Sequence, residues 1–286
     1  MRLAGKNIAI TGASQGLGLA IAQKCLLEGA NIAICARTSR DLTSTKEALS
    51  TSGGNGKVVA VAADVSREQD VERYASTAVQ ELGGIDALIC NAGVYGPKGS
   101  IDELDWQSWR QALEINLMGT VYCCRVFVPV LTRAKRGKIV LLSGGGATKA
   151  LPYLSAYATS KAGLVRFGET LAGEMKDRCV DVNMVAPGAL NTRLLDEVLE
   201  AGPERVGAEF YNASVKQKES GGTPLDRGAE LCAYLCSDES DGITGKLISA
   251  VWDPWERLQE FADDLSGSDI YTLRRITPED RGKHWN

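Results

Sequence analysis

Seven short runs recur along the chain, and almost every position in them is apolar: KNIAIT, NIAICA, KVVAVAAD, IDALIC, KIVLLS, VDVNMV and KLISAV. A strand with one face in water alternates polar and apolar residues, so runs like these belong to strands covered on both faces. Between them lie longer stretches of helical periodicity, among them residues 17–28, 68–82 and 106–117. Strand, helix, strand is the unit that pairs strands in parallel, because the helix carries the chain back across the sheet. The alternation predicts an α/β fold: a doubly wound, seven-stranded parallel sheet with helices on both faces.

Nothing splits this pattern. The chain has 286 residues, 44% of them hydrophobic and 24% charged, which suits one large domain with a sizeable core. We take residues 1–253 as that single domain and 254–286 as a C-terminal extension. Residues 191–222, between the sixth and seventh runs, are polar and punctuated by glycine, and a connection of that length reads as a substrate lid. In and just before the extension, Trp252, Trp255, Leu258, Phe261 and Leu265 fall near helical spacing, with Pro254 suited to begin a helix and Gly267 to end it. Such a stripe has to cover something.

Composition narrows the partners. A net charge of −4 argues against nucleic acid or an anionic membrane. No apolar run reaches about 18 residues, so no membrane span is expected. The opening MRLAGKNIAITGAS enters a strand without the apolar region of a signal peptide, which points to the cytoplasm. Seven of the eight cysteines sit inside strand or helix patterns, there is no CxxC, and His284 is the only histidine. These read as buried thiols in a reducing compartment, with no metal site.

Two places carry chemistry. The first run leads into TGASQGLG, residues 11–18, and then a helix. There Gly12 permits the tight turn, Gly16 lets the backbone approach a phosphate, and Gly18 allows close helix–strand packing. The helix N-terminus offers its free N–H groups to a pyrophosphate. The spacing is GxxxGxG rather than GxGxxG. The second place is LLSGGGATKALPYLSAYATSKAG, where Tyr157 and Lys161 stand four apart and share a helical face. A free phenol has a pKa near 10, too high for proton exchange at neutral pH. A neighbouring ammonium favours phenolate, and lowering the pKa by about 3 units takes roughly 4 kcal/mol.

With these motifs the chain resembles the short-chain dehydrogenase/reductase family over roughly residues 5–251. The resemblance rests on TGASQGLG, Asp64 after VVAVAA, the NAG of Asn91, Ala92 and Gly93, Asn116, Tyr157 with Lys161, and the PG of Pro187 and Gly188. It implies a Rossmann domain, a nicotinamide cofactor and a small-molecule carbonyl or alcohol substrate. Carried over position by position, it places Ser14, Gln15 and Leu17 of the glycine turn against the cofactor. Asp64 and Val65 would lie near the adenine, Asn91 to Gly93 beside a ribose, and Pro187, Gly188 and Thr192 at the nicotinamide. It gives Lys161 the nicotinamide ribose and Asn116 a water relay behind Lys161. Since the seventh-strand edge commonly forms a subunit interface in the family, it also implies a homodimer or homotetramer. The 254–286 extension would then touch a neighbouring subunit or rim an active site.

The second run selects between cofactors. An NAD-specific chain ends this strand on an acidic residue that binds the adenosine-ribose hydroxyls. Here the position is Ala36, and Arg37 follows, whose guanidinium suits a 2′-phosphate. Thr38 and Ser39 add hydroxyls. NADP(H) is therefore expected over NAD, although Gln15 stands where many NADP-type relatives carry a second cation.

One family position is missing. Relatives place a serine thirteen residues before the tyrosine, where it bonds the substrate oxygen; here that position is Gly144. Either a kink in the SGGG run brings Ser143 into the site, or Ser155 or a water replaces it. The leading expectation is an NADP(H)-dependent enzyme interconverting a carbonyl and a secondary alcohol. A sugar or nucleotide-sugar enzyme would use Arg193, Arg205, Lys216 and Lys218 of the lid to meet phosphate. A non-catalytic dinucleotide-binding protein is the remaining alternative.

Overall fold

The computed structural model describes residues 1–285. Its strands are β1 (Asn7–Thr11), β2 (Asn31–Ala36), β3 (Val58–Ala62), β4 (Ala87–Cys90), β5 (Gly137–Leu142), β6 (Val180–Ala186) and β7 (Leu247–Ser249). They form one parallel sheet in the order β3-β2-β1-β4-β5-β6-β7. The helices of the first half are α1 (Gly16–Leu27), α2 (Ser39–Ser50), α3 (Glu68–Leu82), α4 (Trp106–Leu113) and α5 (Gly119–Leu131). Those of the second are α6 (Ser155–Met175), α7 (Arg193–Ala201), α8 (Pro203–Val206), α9 (Ala208–Ser220), α10 (Leu225–Leu235) and α11 (Ala262–Ser266).

Both faces of the sheet are buried, as the apolar runs require. Successive strand residues point to opposite sides. Ile8, Ile10, Ile32 and Ile34 join Ile21 of α1 and Leu231 of α10 in one core. Ala9, Ala33, Leu88 and Ile139 join Tyr74 of α3, Phe127 of α5 and Val165 of α6 in the other. The reversal of strand order between β1 and β4 opens a crevice at the carboxyl ends of the strands, where ligands of such sheets bind.

Three segments take forms that the sequence left open. The connection after β6 is helical, folded as α7, α8 and α9, because its glycines at 202, 207 and 221 lie between helices rather than within them. Residues 106–131 run as one continuous helical stretch long and apolar enough on average to match a membrane span. Charged residues such as Arg110 and Arg125 interrupt the run in sequence, and its inner side, with Phe127 and Leu131, packs on the sheet. The tryptophan stripe, finally, turns inward. Trp255 (2% exposed), Leu258 and Leu265 join the core of α1 and α10, and Trp255 Nε1 donates to the Ala250 carbonyl at 3.2 Å. A 3₁₀ turn over Trp255–Phe261 replaces the expected α-helical start.

Residues 268–273 of the extension lie along the sheet edge. The Leu247 N–H of β7 donates to the Tyr271 carbonyl at 2.8 Å. Lys246 Nζ donates to the Ser268 and Ile270 carbonyls at 3.0 Å each. From α6, Glu169 accepts from the Leu273 N–H, and Arg166 donates to the Leu273 carbonyl.

Candidate active site

A cleft of about 970 Å³ lies over the carboxyl ends of the strands. Its floor begins at the glycine turn. Gly12 has φ +66°, and a Cβ there would come within 2.8 Å of the Ala92 Cα. A Cβ at Gly18 would collide with the Gly12 carbonyl, so α1 sits closer to β1 than any other residue allows. Gln15 precedes α1 without a side-chain cap, leaving the first-turn amides to face the cleft that Ser14, Gly16 and Leu17 also line.

The NAG segment is stitched to that turn. Asn91 Nδ2 donates to the carbonyls of Thr11 (3.1 Å) and Gly12 (2.9 Å), and Thr11 Oγ1 accepts from the Asn91 and Ala92 amides. Asn91, Ala92 and Gly93 all border the cleft. Asp64 uses Oδ1 to accept from the Ser66 amide and hydroxyl at 3.0 and 2.7 Å, a local turn, while it and Val65 still line the wall. Pro187 and Gly188 follow β6, and the Thr192 methyl lies over Gly16. Arg37 is exposed at the cleft rim just past β2 and has no ion-pair partner among the described residues.

On the other side, α6 presents Tyr157 and Lys161. Lys161 Nζ lies 5.7 Å from the centre of the Tyr157 ring and donates to the Leu142 carbonyl at 2.7 Å. Burial lowers the Lys161 pKa to about 8. Burial pushes the Tyr157 phenol up, with a smaller contribution from Tyr95, whose ring meets it edge-on at 4.6 Å. Here the ammonium meets the Leu142 carbonyl, and burial dominates the phenol.

Asn116 is fully buried and does not line the cleft. It lies in a π-helical turn, Glu114–Met118, that joins α4 to α5. Its Oδ1 accepts from the Val94 amide, and its Nδ2 donates to the Val94 carbonyl and to Ser160 Oγ, at 2.8–2.9 Å. Its side chain thus holds the segment after NAG and ties it to α6.

At the missing serine, a side chain on Gly144 would place its Cβ on top of the Tyr157 hydroxyl. Ser143 is 5% exposed, and its Oγ is buried without a hydrogen-bond partner among the described residues. Ser155 is not in the cleft: its Oγ accepts from Trp109 Nε1 at 3.0 Å. Of the lid cations only Arg193 borders the cleft, and it pairs with Glu197 at 3.6 Å, while Lys218 pairs with Asp196 at 2.6 Å. Salt bridges inside the lid spend the charge that a phosphate would need.

Sequence reasoning missed several lining residues: Tyr95, Lys149, Phe210, Gln217 and, within the stripe, Trp252, which is 85% exposed at the rim. Tyr95 sits two residues past NAG and could have been found from that offset. Phe210 and Gln217 carry no motif.

The sequence model described as short chain dehydrogenase matches residues 6–202. The chain belongs to the short-chain dehydrogenase/reductase family. It is 33% identical over 253 residues to 3beta-hydroxysteroid dehydrogenase 1 of Eggerthella lenta, covering 86% of this chain and 92% of the relative. It is 30% identical over 248 residues to glucose 1-dehydrogenase of Gluconobacter oxydans, covering 86% and 91%. The solved structure of NAD+-bound xylitol dehydrogenase superposes with a TM-score of 0.79 over 87% of this chain and 98% of that one, and at 24% identity this likeness concerns the fold alone. As a member of the family the chain is an oxidoreductase acting on alcohol and carbonyl groups, with a nicotinamide dinucleotide as cofactor.

Proposed function

We propose that the protein is an NADP(H)-dependent oxidoreductase that interconverts a small-molecule carbonyl and a secondary alcohol, with Tyr157 as acid and base. The observation that carries this reading is the pairing, within one cleft, of a buried phenol and ammonium with a glycine turn that leads into an uncapped helix terminus. Gly12 and Gly18 let the turn pack tightly on Ala92 and Asn91, and the uncapped α1 terminus offers amides to a pyrophosphate. The bound nicotinamide supplies or accepts the hydride. Tyr157 Oη gives its proton to the carbonyl oxygen, or takes one in the reverse direction. Lys161 orients the nicotinamide ribose and supplies positive charge beside the phenol, while Asn116 fixes the Val94 backbone that flanks them.

The NADP preference rests on Ala36 and Arg37. No carboxylate ends β2, and the Arg37 guanidinium is free to bond a 2′-phosphate bidentately. The NAD+ of the xylitol dehydrogenase belongs to that protein and does not decide the matter here. Fluorescence titration should find NADPH bound more tightly than NADH. Arg37→Ala should remove about 1.5–3 kcal/mol of that preference. Equal dissociation constants for both cofactors in the unmodified chain would refute it. Following NADPH absorbance across ketones, hydroxysteroids and sugars would then identify the substrate.

We further read the protein as a cytoplasmic homodimer or homotetramer. Seven of its eight free thiols are buried, and Trp106 and Met118 leave apolar surface exposed beside α4 and α5. Sedimentation of the purified chain tests the assembly.

A further inference from the structure

We propose that backbone amides of the Ser143–Gly146 turn, foremost that of Gly145, donate the hydrogen bond that holds the substrate oxygen opposite Tyr157. The inference rests on the reading of Tyr157 as the acid and base. It starts from the second donor that a carbonyl gaining hydride needs, which neither Gly144 nor Ser155 supplies with a side chain. A residue at 144 with a Cβ would displace the Tyr157 hydroxyl, Ser155 is engaged by Trp109, and Ser143 lines the cleft but keeps its Oγ buried.

The turn itself has the groups. Tyr157 Oη lies against the Gly144 Cα, and the Gly144 and Gly145 nitrogens are one and two bonds from that atom, within about 3 Å of it. Neither N–H has an acceptor among the described residues, although the next N–H but one, of Ala147, returns to the Gly144 carbonyl at 3.3 Å. The buried Ser143 Oγ makes a third unpartnered polar group on the same turn. Gly144 and Gly145 both line the cleft, and Gly145 is exposed there, so a ligand in the cleft can reach the backbone of this turn. The turn is also rigid: Ser143 N–H bonds the Val185 carbonyl at 2.8 Å, and Gly146, at φ +90°, packs against Ala158 of α6. Fixed donors aimed at developing negative charge are the strongest kind of transition-state stabilisation.

Gly145 permits a clean test. Its φ lies outside the left-handed region, and nothing stands within 4 Å of where a Cβ would project. Alanine there keeps the N–H and proline removes it. With the carbonyl compound identified by the NADPH screen, Gly145→Pro should lower kcat roughly 10²–10³-fold with little change in KM, and Gly145→Ala by less than tenfold. In the 15N-glycine-labelled full chain, the Gly145 amide, assigned by its disappearance in Gly145→Ala, should shift downfield when NADP+ and that carbonyl compound bind together. This second arm decides the matter if the proline variant does not fold. Equal losses in the two variants, an unmoved Gly145 resonance, or a larger kcat loss in Ser143→Ala than in Gly145→Pro would overturn the proposal. Retained turnover in Tyr157→Phe would instead sink the acid–base reading, whatever Gly145 does.

Discussion

At the scale of single residues, the two groups of α6 divide the work by charge. Tyr157→Phe removes only an oxygen that points at Gly144, so it should abolish turnover while leaving NADPH affinity within about twofold; steady-state kinetics and titration check this together. Lys161 sets a pH limit. Burial disfavours its charged form and brings its pKa to about 8, so it is an ammonium below that pH and neutral above it. If the ammonium orients the ribose and supports the phenol, kcat/KM for carbonyl reduction should be flat toward neutral pH and fall through about pH 8 with the loss of one proton. A profile flat to pH 10 would dissociate Lys161's charge from catalysis. Tyr157, Lys161 and the glycine turn were readable as candidates because they stand in order with the other motifs of the family, each on the expected element. The state of Gly144 was not. Counting residues found the missing serine, but only the closeness of Tyr157 to the Gly144 Cα, a contact between distant segments, shows why a side chain does not fit there.

Among the elements, the sheet was the most readable part of the chain, and each of the seven apolar runs became a strand. The lid was the least readable: its polar residues mask three helices whose inner side chains, Leu195, Val198 and Val206, are few. One strand pair carries a feature that periodicity hides. Lys138 of β5 is buried, with Nζ 2.9 Å from Asp181 of β6 and 2.7 Å from Asp241, and Arg136 adds a contact to Asp181 at 3.1 Å. The lysine that opens this apolar run is tolerated because two carboxylates enclose it at the end of the sheet remote from the cleft. Losing Asp181 would leave the buried Lys138 only the half-exposed Asp241 as an ionic partner, and weakening the pairing of a buried charge is destabilising. Asp181→Asn should therefore lower the urea midpoint markedly without altering cofactor affinity. A variant as stable as the parent would mean that Asp241 alone suffices.

For the whole molecule, the extension counts as part of the fold. Cutting the chain after Asp253 removes Trp255, Leu258 and Leu265 from a core they share with Leu3 and Ile8, and uncovers the β7 edge that Tyr271 closes. Losing a buried tryptophan alone costs about 3–5 kcal/mol, and a bare strand edge invites pairing between molecules. The shortened protein should melt lower and scatter light as aggregates; a monodisperse product with an unchanged Tm would reduce the extension to a local cover. That shared core also has a consequence for biosynthesis. Leu3 and Ile8 leave the ribosome long before the side chains that complete their surroundings, which are more than 240 positions behind. At roughly 5–20 residues per second, the nascent chain carries half-covered apolar strands for on the order of 10–50 s before Trp255 and Leu265 emerge. During that interval a chaperone has exposed isoleucines to hold, and a stalled ribosome would present a chain that cannot finish folding.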